Sequence, residues 1–144
     1  MDDGRVKRFA GRWKWLSNFW RSPVKFEGIE YPTVEHAYQA AKTLDLNIRE
    51  EVRLSPTPGK AKFMGRHLPL RPDWEDVKLD IMEQLLREKF VKDSMLAQML
   101  DNTGNAQLIE GNYWGDTFWG VCDGVGENHL GKLLMKVRSI NREE

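Results

Sequence analysis

Tyr31-Pro32-Thr33-Val34-Glu35-His36-Ala37-Tyr38-Gln39-Ala40-Ala41-Lys42 is the stretch from which the rest of the chain is best read. Pro32-Thr33 opens a helix with Thr33 as its N-cap, and the helix is expected to run to about Leu44. At helical spacing Ala37, Ala40, Ala41 and Leu44 share one face, while Glu35, Gln39 and Lys42 share the opposite one. The alanine face permits close packing. The other presents a carboxylate, an amide and an amine in a line. Periodicity leaves two possibilities for that line, a solvated stripe of loosely paired charges or one wall of a pocket. In a pocket, Glu35 can act as acid, base or cation stabiliser, and Lys42 as phosphate ligand or amine nucleophile.

Outward from this helix, the first third of the chain reads as short strands. Val24 to Tyr31 alternates and carries Glu27-Gly28 at its centre, which predicts a hairpin. A second helix is expected over Leu46 to Leu54, ending at Ser55-Pro56-Thr57-Pro58-Gly59, and a short third over Lys60 to Arg66. After Pro72-Asp73, Trp74, Val77, Ile81 and Leu85 recur at helical spacing with Met82 and Leu86, as far as Phe90. Met95, Leu96, Met99 and Leu100 mark another helix, stopped by Asn102-Thr103-Gly104. Leu108-Ile109 is a strand candidate, Gly111 to Gly126 a loop rich in glycine and aromatics, and Asn128 to Ile140 a final helix. The Met and Leu stripes are core. The fold class is therefore α+β and mainly helical, with a few short strands near the N-terminus and before the Gly/Trp loop.

The 144 residues carry 22 Lys+Arg against 22 Asp+Glu, a net charge of zero. One domain, 1–144, is expected, since a chain of this size buries roughly two-thirds of its unfolded surface without disulfides or metal. Balanced charge excludes a general polyanion binder, whose affinity comes from many cation–phosphate contacts. A cleft can still be basic. Cys122 is the single cysteine, so no intrachain disulfide can form, and it reads as a small buried apolar residue. Met1 to Arg8 lacks the apolar run of a leader, and no stretch reaches the roughly 18 apolar residues of a membrane span. A soluble, cytoplasmic protein without a membrane partner is expected.

No standard cofactor motif is present. Gly124-Val125-Gly126 meets His129 where a dinucleotide fingerprint needs its third glycine, and His36, His67 and His129 are scattered. Neither cofactor nor metal is expected. Gly111-Asn112-Tyr113-Trp114-Gly115-Asp116-Thr117-Phe118-Trp119-Gly120 is more informative. Its aromatics can stack on a base or line a pocket, its glycines let backbone approach a ligand, and Asp116 can reach a sugar. Equally, Asp116 can cap backbone amides of a buried turn. Gly124-x-Gly126 could aim N–H groups at an anion.

Four blocks together resemble the NADAR (YbiA-like) family, covering Phe9 to Ile140. They are Phe9-Ala10-Gly11 with Trp15-Leu16-Ser17-Asn18-Phe19; Tyr31 to Lys42; Met64-Gly65-Arg66 with Leu70-Arg71-Pro72-Asp73-Trp74; and Tyr113-Trp114-Gly115-Asp116 leading to Gly126-Glu127-Asn128-His129-Leu130-Gly131-Lys132-Leu133-Leu134-Met135. The resemblance implies a compact single YbiA-like domain and an N-glycosidase cleaving a C–N bond at an anomeric ribose carbon. Its implied substrates are phosphoribosylamino-pyrimidine intermediates of riboflavin synthesis and ADP-ribose attached to guanine, on a small molecule or on nucleic acid held at one base. It assigns Glu35, Lys42 and Asp116 to catalysis, with Ser17, Asn18, Gln39, Arg66, Trp114, Gly115, Trp119 and Asn128 around the substrate. It also turns the Glu35/Lys42 face from a solvated stripe into a pocket. Some relatives have a shorter segment, richer in glycine and lysine, at Thr117 to Cys122, so Trp119 is expected to reshape the substrate mouth.

Cleaving an N-riboside places positive charge on the anomeric carbon and negative charge on the leaving nitrogen. Two carboxylates suit that task, Glu35 and Asp116 dividing the roles of cation stabiliser or base and proton donor or hydroxyl anchor. In a second route Lys42 exchanges into a ring-opened imine as a Schiff base. Arg66, Lys62 and Arg12 are candidate phosphate ligands. The rival from another class is a module that grips ADP-ribose or a nucleotide without hydrolysing it. Aromatic stacking on nucleic acid is a third possibility, against which the neutral charge counts.

Overall fold

Two residues with positive φ, Glu27 (49°) and Gly28 (83°), reverse the chain between β1 (Val24–Phe26) and β2 (Ile29–Tyr31). A turn of that hand matches the twist of the flanking strands, which is why two residues suffice to close the hairpin. Phe26 pairs with Ile29 and Val24 with Tyr31, antiparallel. The hairpin lies in the first of two units into which the computed structural model, describing residues 3–144, divides. That unit is Asn18–Lys89, and the second comprises the residues through Ser17 together with Phe90–Glu144.

In the first unit, α1 (Val34–Ala41) begins where expected, with the Thr33 hydroxyl accepting from the His36 N–H at 3.0 Å. It stops at Ala41, short of Leu44, which is exposed. α1 touches α2 (Leu46–Arg53), α3 (Pro58–Arg66), α4 (Trp74–Lys89) and both strands of the hairpin. Surrounded in this way, all its residues are buried. The two-faced helix expected from periodicity is therefore a central helix with no solvent face. Ala37, Ala40 and Ala41 make that possible by letting neighbouring backbones come close. α3 starts earlier than expected because Thr57 caps it by accepting from Lys60 N–H, and Pro58 occupies the first turn, where a missing N–H costs nothing. On α4, Trp74, Ile81, Met82, Leu85 and Leu86 form the buried stripe.

His36 ties this unit together. Its Nδ1 lies 2.8 Å from Thr33 Oγ1 and its Nε2 lies 3.1 Å from the Ser55 carbonyl. The carbonyl can only accept, so Nε2 carries the ring proton and Nδ1 takes the Thr33 hydroxyl proton. Burial holds the imidazole below its ordinary value, aided by Arg21 and opposed by the Ser55 hydrogen bond. The folded state thus resists protonation that the unfolded chain accepts. The resulting stability is complete above the unfolded value of about 6.5 and is lost as pH falls through the folded value. His36→Gln should be less stable by about 1–3 kcal/mol at neutral pH. That gap should narrow in thermal melts toward about pH 5; parallel curves for the two proteins would contradict the buried neutral ring.

In the second unit, Gly11–Leu16 forms a 3-10 helix where short strands were expected. Trp15 and Leu16 are its buried residues, and the Trp15 indole N–H closes onto the Arg12 carbonyl at 3.0 Å. Val6, expected in a tail, is buried and exchanges hydrogen bonds of 2.8 Å with Gln107 and Ile109, so Leu108-Ile109 appears as a bridge to Val6 rather than a separate strand. Ser94 caps α5 (Met95–Asp101). The expected loop contains two short parallel strands, β3 (Gly111–Asn112) and β4 (Val121–Cys122). α6 (His129–Glu143) runs past Ile140, and its Arg142 bonds Asp101 at 2.6 Å. The architecture is α+β and mainly helical, as expected. Among the described residues no helix is long and apolar enough to cross a membrane. Of the N-terminal stretch read as lacking a leader, Met1 and Asp2 lie outside the described residues.

Candidate active site

Glu35 stands in the first turn of α1, where the helix dipole favours a carboxylate. Its backbone N–H donates to the Asn18 carbonyl at 3.1 Å. At 8% exposure for Glu35 and 4% for Gln39, the polar line is not a solvated stripe. One turn along, at the spacing that brings helical side chains together, Gln39 Nε2 donates to Glu35 Oε2 at 2.5 Å. A hydrogen bond to a charged acceptor of this length is of the strong kind.

Lys42 follows as the C-cap of α1, half-buried, with its Nζ 5.5 Å from the centre of the Tyr38 ring. Burial above all pushes its amine below the ordinary lysine range. Arg66, Lys62 and Lys78 add to that by repulsion, while Glu35 favours the charged form. A carboxylate and an amine with an enlarged neutral fraction are thereby set on one short helix. That pair can move protons and attack a carbon.

Asn18 Nδ2 points to Met82 Sδ at 3.6 Å. Its Oδ1, like Gln39 Oε1, is buried and has no hydrogen-bond partner among the described residues. Leaving such an acceptor unpaired costs about 1–3 kcal/mol. The structure thus brings Asn18, Glu35, Gln39, Lys42, Arg66 and Lys62 into one electrostatic neighbourhood. Lys78 was missed in the sequence. The signal was present, for half-buried Lys78 falls between the buried Trp74 and Met82 of α4 at helical spacing.

The remaining candidates belong to the second unit. Asp116 Oδ1 accepts from the N–H groups of Phe118 at 3.1 Å and Trp119 at 2.9 Å, and Asn112 Oδ1 accepts from Asp116 N–H at 3.0 Å. Through Oδ1, Asp116 caps the turn that follows it. Gly115 supplies the left-handed bend before it. Trp114 is exposed, edge-on to Tyr113 at 5.2 Å. Trp119 is half-buried against Phe118 at 4.9 Å. Asn128 commits its amide to backbone, accepting from Glu110 N–H at 2.9 Å and donating to the Leu108 carbonyl at 3.0 Å. Ser17 caps the 3-10 helix, and Arg12 stacks over Trp13 at 4.4 Å.

Two expectations are corrected here. The N–H groups of Glu127, Asn128, His129 and Leu130 donate to the carbonyls of Thr117, Gly120, Phe118 and Trp119, so the segment after Gly124-x-Gly126 has no N–H cradle to offer an anion. Cys122 is only half-buried, because β4 lies partly at the surface. Among the described residues no group of three or more His, Cys, Asp or Glu side chains could hold a metal ion.

The NADAR domain family model matches residues 7–140. N-glycosidase YbiA of Escherichia coli (strain K12) is 43% identical over 126 residues, covering 85% of this chain and 78% of that protein. Riboflavin biosynthesis protein VVA0006 of Vibrio vulnificus (strain YJ016) is 36% identical over 126 residues, covering 85% of this chain and 34% of that one. The NMR structure of the Escherichia coli protein YbiA superposes with a TM-score of 0.84 at 37% identity, over 100% of this chain and 90% of that structure. With family model, sequence and fold in agreement over nearly its whole length, the chain belongs to the NADAR domain family.

Proposed function

We propose that this chain is an N-glycosidase that hydrolyses the bond between the anomeric carbon of a ribose and the exocyclic nitrogen of a base. The observation that carries this is the half-buried Lys42 amine, held below its ordinary range by burial and by three neighbouring cations, on the same short helix as the buried Glu35. The activity in the name of the Escherichia coli relative supports the same reading.

The chemistry follows from the groups available. Ring opening of an N-riboside moves the nitrogen lone pair into a C1′=N imine while the ring oxygen takes a proton. The neutral Lys42 amine adds to C1′, a proton passes to the leaving nitrogen, and the base departs as its free amine. That leaves an imine between Lys42 Nζ and C1′. Water adds to this imine and releases the sugar aldehyde and Lys42. Glu35 carries the protons between these steps, and the Gln39 amide holds its carboxylate in place. Arg66, Lys62 and Lys78 hold the amine low and favour an anionic 5′ substituent.

Phosphoribosyl and ADP-ribosyl groups both meet that requirement. The Vibrio vulnificus relative, named for riboflavin biosynthesis, supports a ribosylamino-pyrimidine as the base partner; ADP-ribosylated guanine, free or within nucleic acid, is the other substrate we propose. A module that only grips ADP-ribose needs no amine of this kind. Incubation with both substrate types and chromatographic analysis of products tests the proposal. Release of free base with an equimolar sugar phosphate is the expected result, and binding of ADP-ribose without base release from either type would contradict it.

A further inference from the structure

Gly65 lies in the last turn of α3 and is buried. Its φ is not positive, so no turn calls for glycine there, and helices favour almost any residue over it. What the position lacks is room. A methyl group built on Gly65 would overlap Gln39 Oε1 and stand 2.6 Å from Gln39 Cδ, and the nearest atoms it would meet all belong to Gln39. The space a side chain would fill is taken by the carboxamide that donates to Glu35.

With Glu35 ionised, that amide has one favourable orientation. Turned over, it would set two oxygens 2.5 Å apart, a repulsive contact for an ionised carboxylate. With Nε2 on Glu35, Oε1 faces the bare Cα of Gly65. At 4% exposure Gln39 has nowhere to retreat. We infer that Gly65 is a positioning residue for the hydrolysis: by lacking a side chain it seats the Gln39 amide against Glu35 and thereby fixes the Glu35 carboxylate. This rests on the part assigned to Glu35 in the proposed function.

Steady-state kinetics on Gly65→Ala, Gln39→Ala and the double variant, with Glu35→Gln as reference, test the inference. Gly65→Ala should lower kcat by about 10- to 100-fold, as small displacements of a reacting group do, with KM changed by no more than about twofold. The double variant should match Gln39→Ala within about twofold, because the side chain that the new methyl group displaces is gone. Should Gly65→Ala fail to fold, the double variant should still fold, since the overlap is with Gln39. Wild-type turnover in Gly65→Ala, losses that multiply in the double variant, or a double variant that does not fold would each overturn the inference. The reference keeps the two ideas apart. Full turnover in Glu35→Gln removes the part given to Glu35, whereas an inactive Glu35→Gln beside a fully active Gly65→Ala overturns the positioning role alone.

Discussion

Lys42→Arg should abolish turnover while leaving the fold intact. The guanidinium keeps the positive charge and much of the length of the lysine, so binding of an anionic substrate should survive. What it cannot provide is a neutral amine, because arginine stays protonated in proteins. If Lys42 attacks C1′, the loss should fall in the range of about 10³- to 10⁶-fold seen when a covalent nucleophile is removed, and it should appear in kcat rather than KM. Lys42→Ala should be as inactive. Neither change should unfold the protein, since Lys42 is half-buried at the end of α1 and either replacement keeps the backbone N–H that caps the helix and leaves its alanine packing untouched. A Lys42→Arg variant that releases base at the wild-type rate would leave Lys42 as a phosphate ligand only.

Glu35→Gln is the second change with a large expected effect. The substitution is isosteric, and the new amide can still accept from Gln39, so the packing around α1 should persist. If Glu35 carries the protons, turnover should fall by about 10²- to 10⁴-fold. Glu35 also favours the charged form of Lys42. Its removal leaves burial and the cations Arg66, Lys62 and Lys78 unopposed, so the Lys42 amine should be held lower still. Residual activity, where it depends on neutral Lys42, should therefore begin its rise at a lower pH than in the wild type. A pH–rate profile of the variant checks this, and an unmoved limb would show that the two groups do not interact.

Local signals were the readable ones. Glu27-Gly28 announced the hairpin and Thr33 the start of α1, because a two-residue turn and an N-cap depend on residues next to them in the chain. Burial of both faces of α1 was not readable from periodicity, which reports a contrast between faces and says nothing when α2, α3, α4 and the hairpin cover all of them. The resemblance to the family, rather than the spacing, favoured a pocket; the burial of Glu35 and Gln39 rules out the solvated stripe. Thr57-Pro58 was misread as the end of one helix because the same residues that break a helix also begin the next. Gly65 stood in the sequence as part of a family block and as a weak helix position; its packing against the Gln39 side chain, 26 residues earlier in the chain, was not legible there. The capping bonds of Asp116 Oδ1 are local too, made to Phe118 and Trp119 just after it in the chain.

The central claim is that Lys42 becomes covalently attached to the anomeric carbon during hydrolysis. Adding borohydride during turnover reduces such an imine to a stable secondary amine, and mass spectrometry of the digested protein locates it. A ribosyl adduct is expected on the peptide containing Lys42, absent when substrate is omitted and absent from Lys42→Ala. Active turnover in the presence of borohydride with no adduct on Lys42 would contradict it.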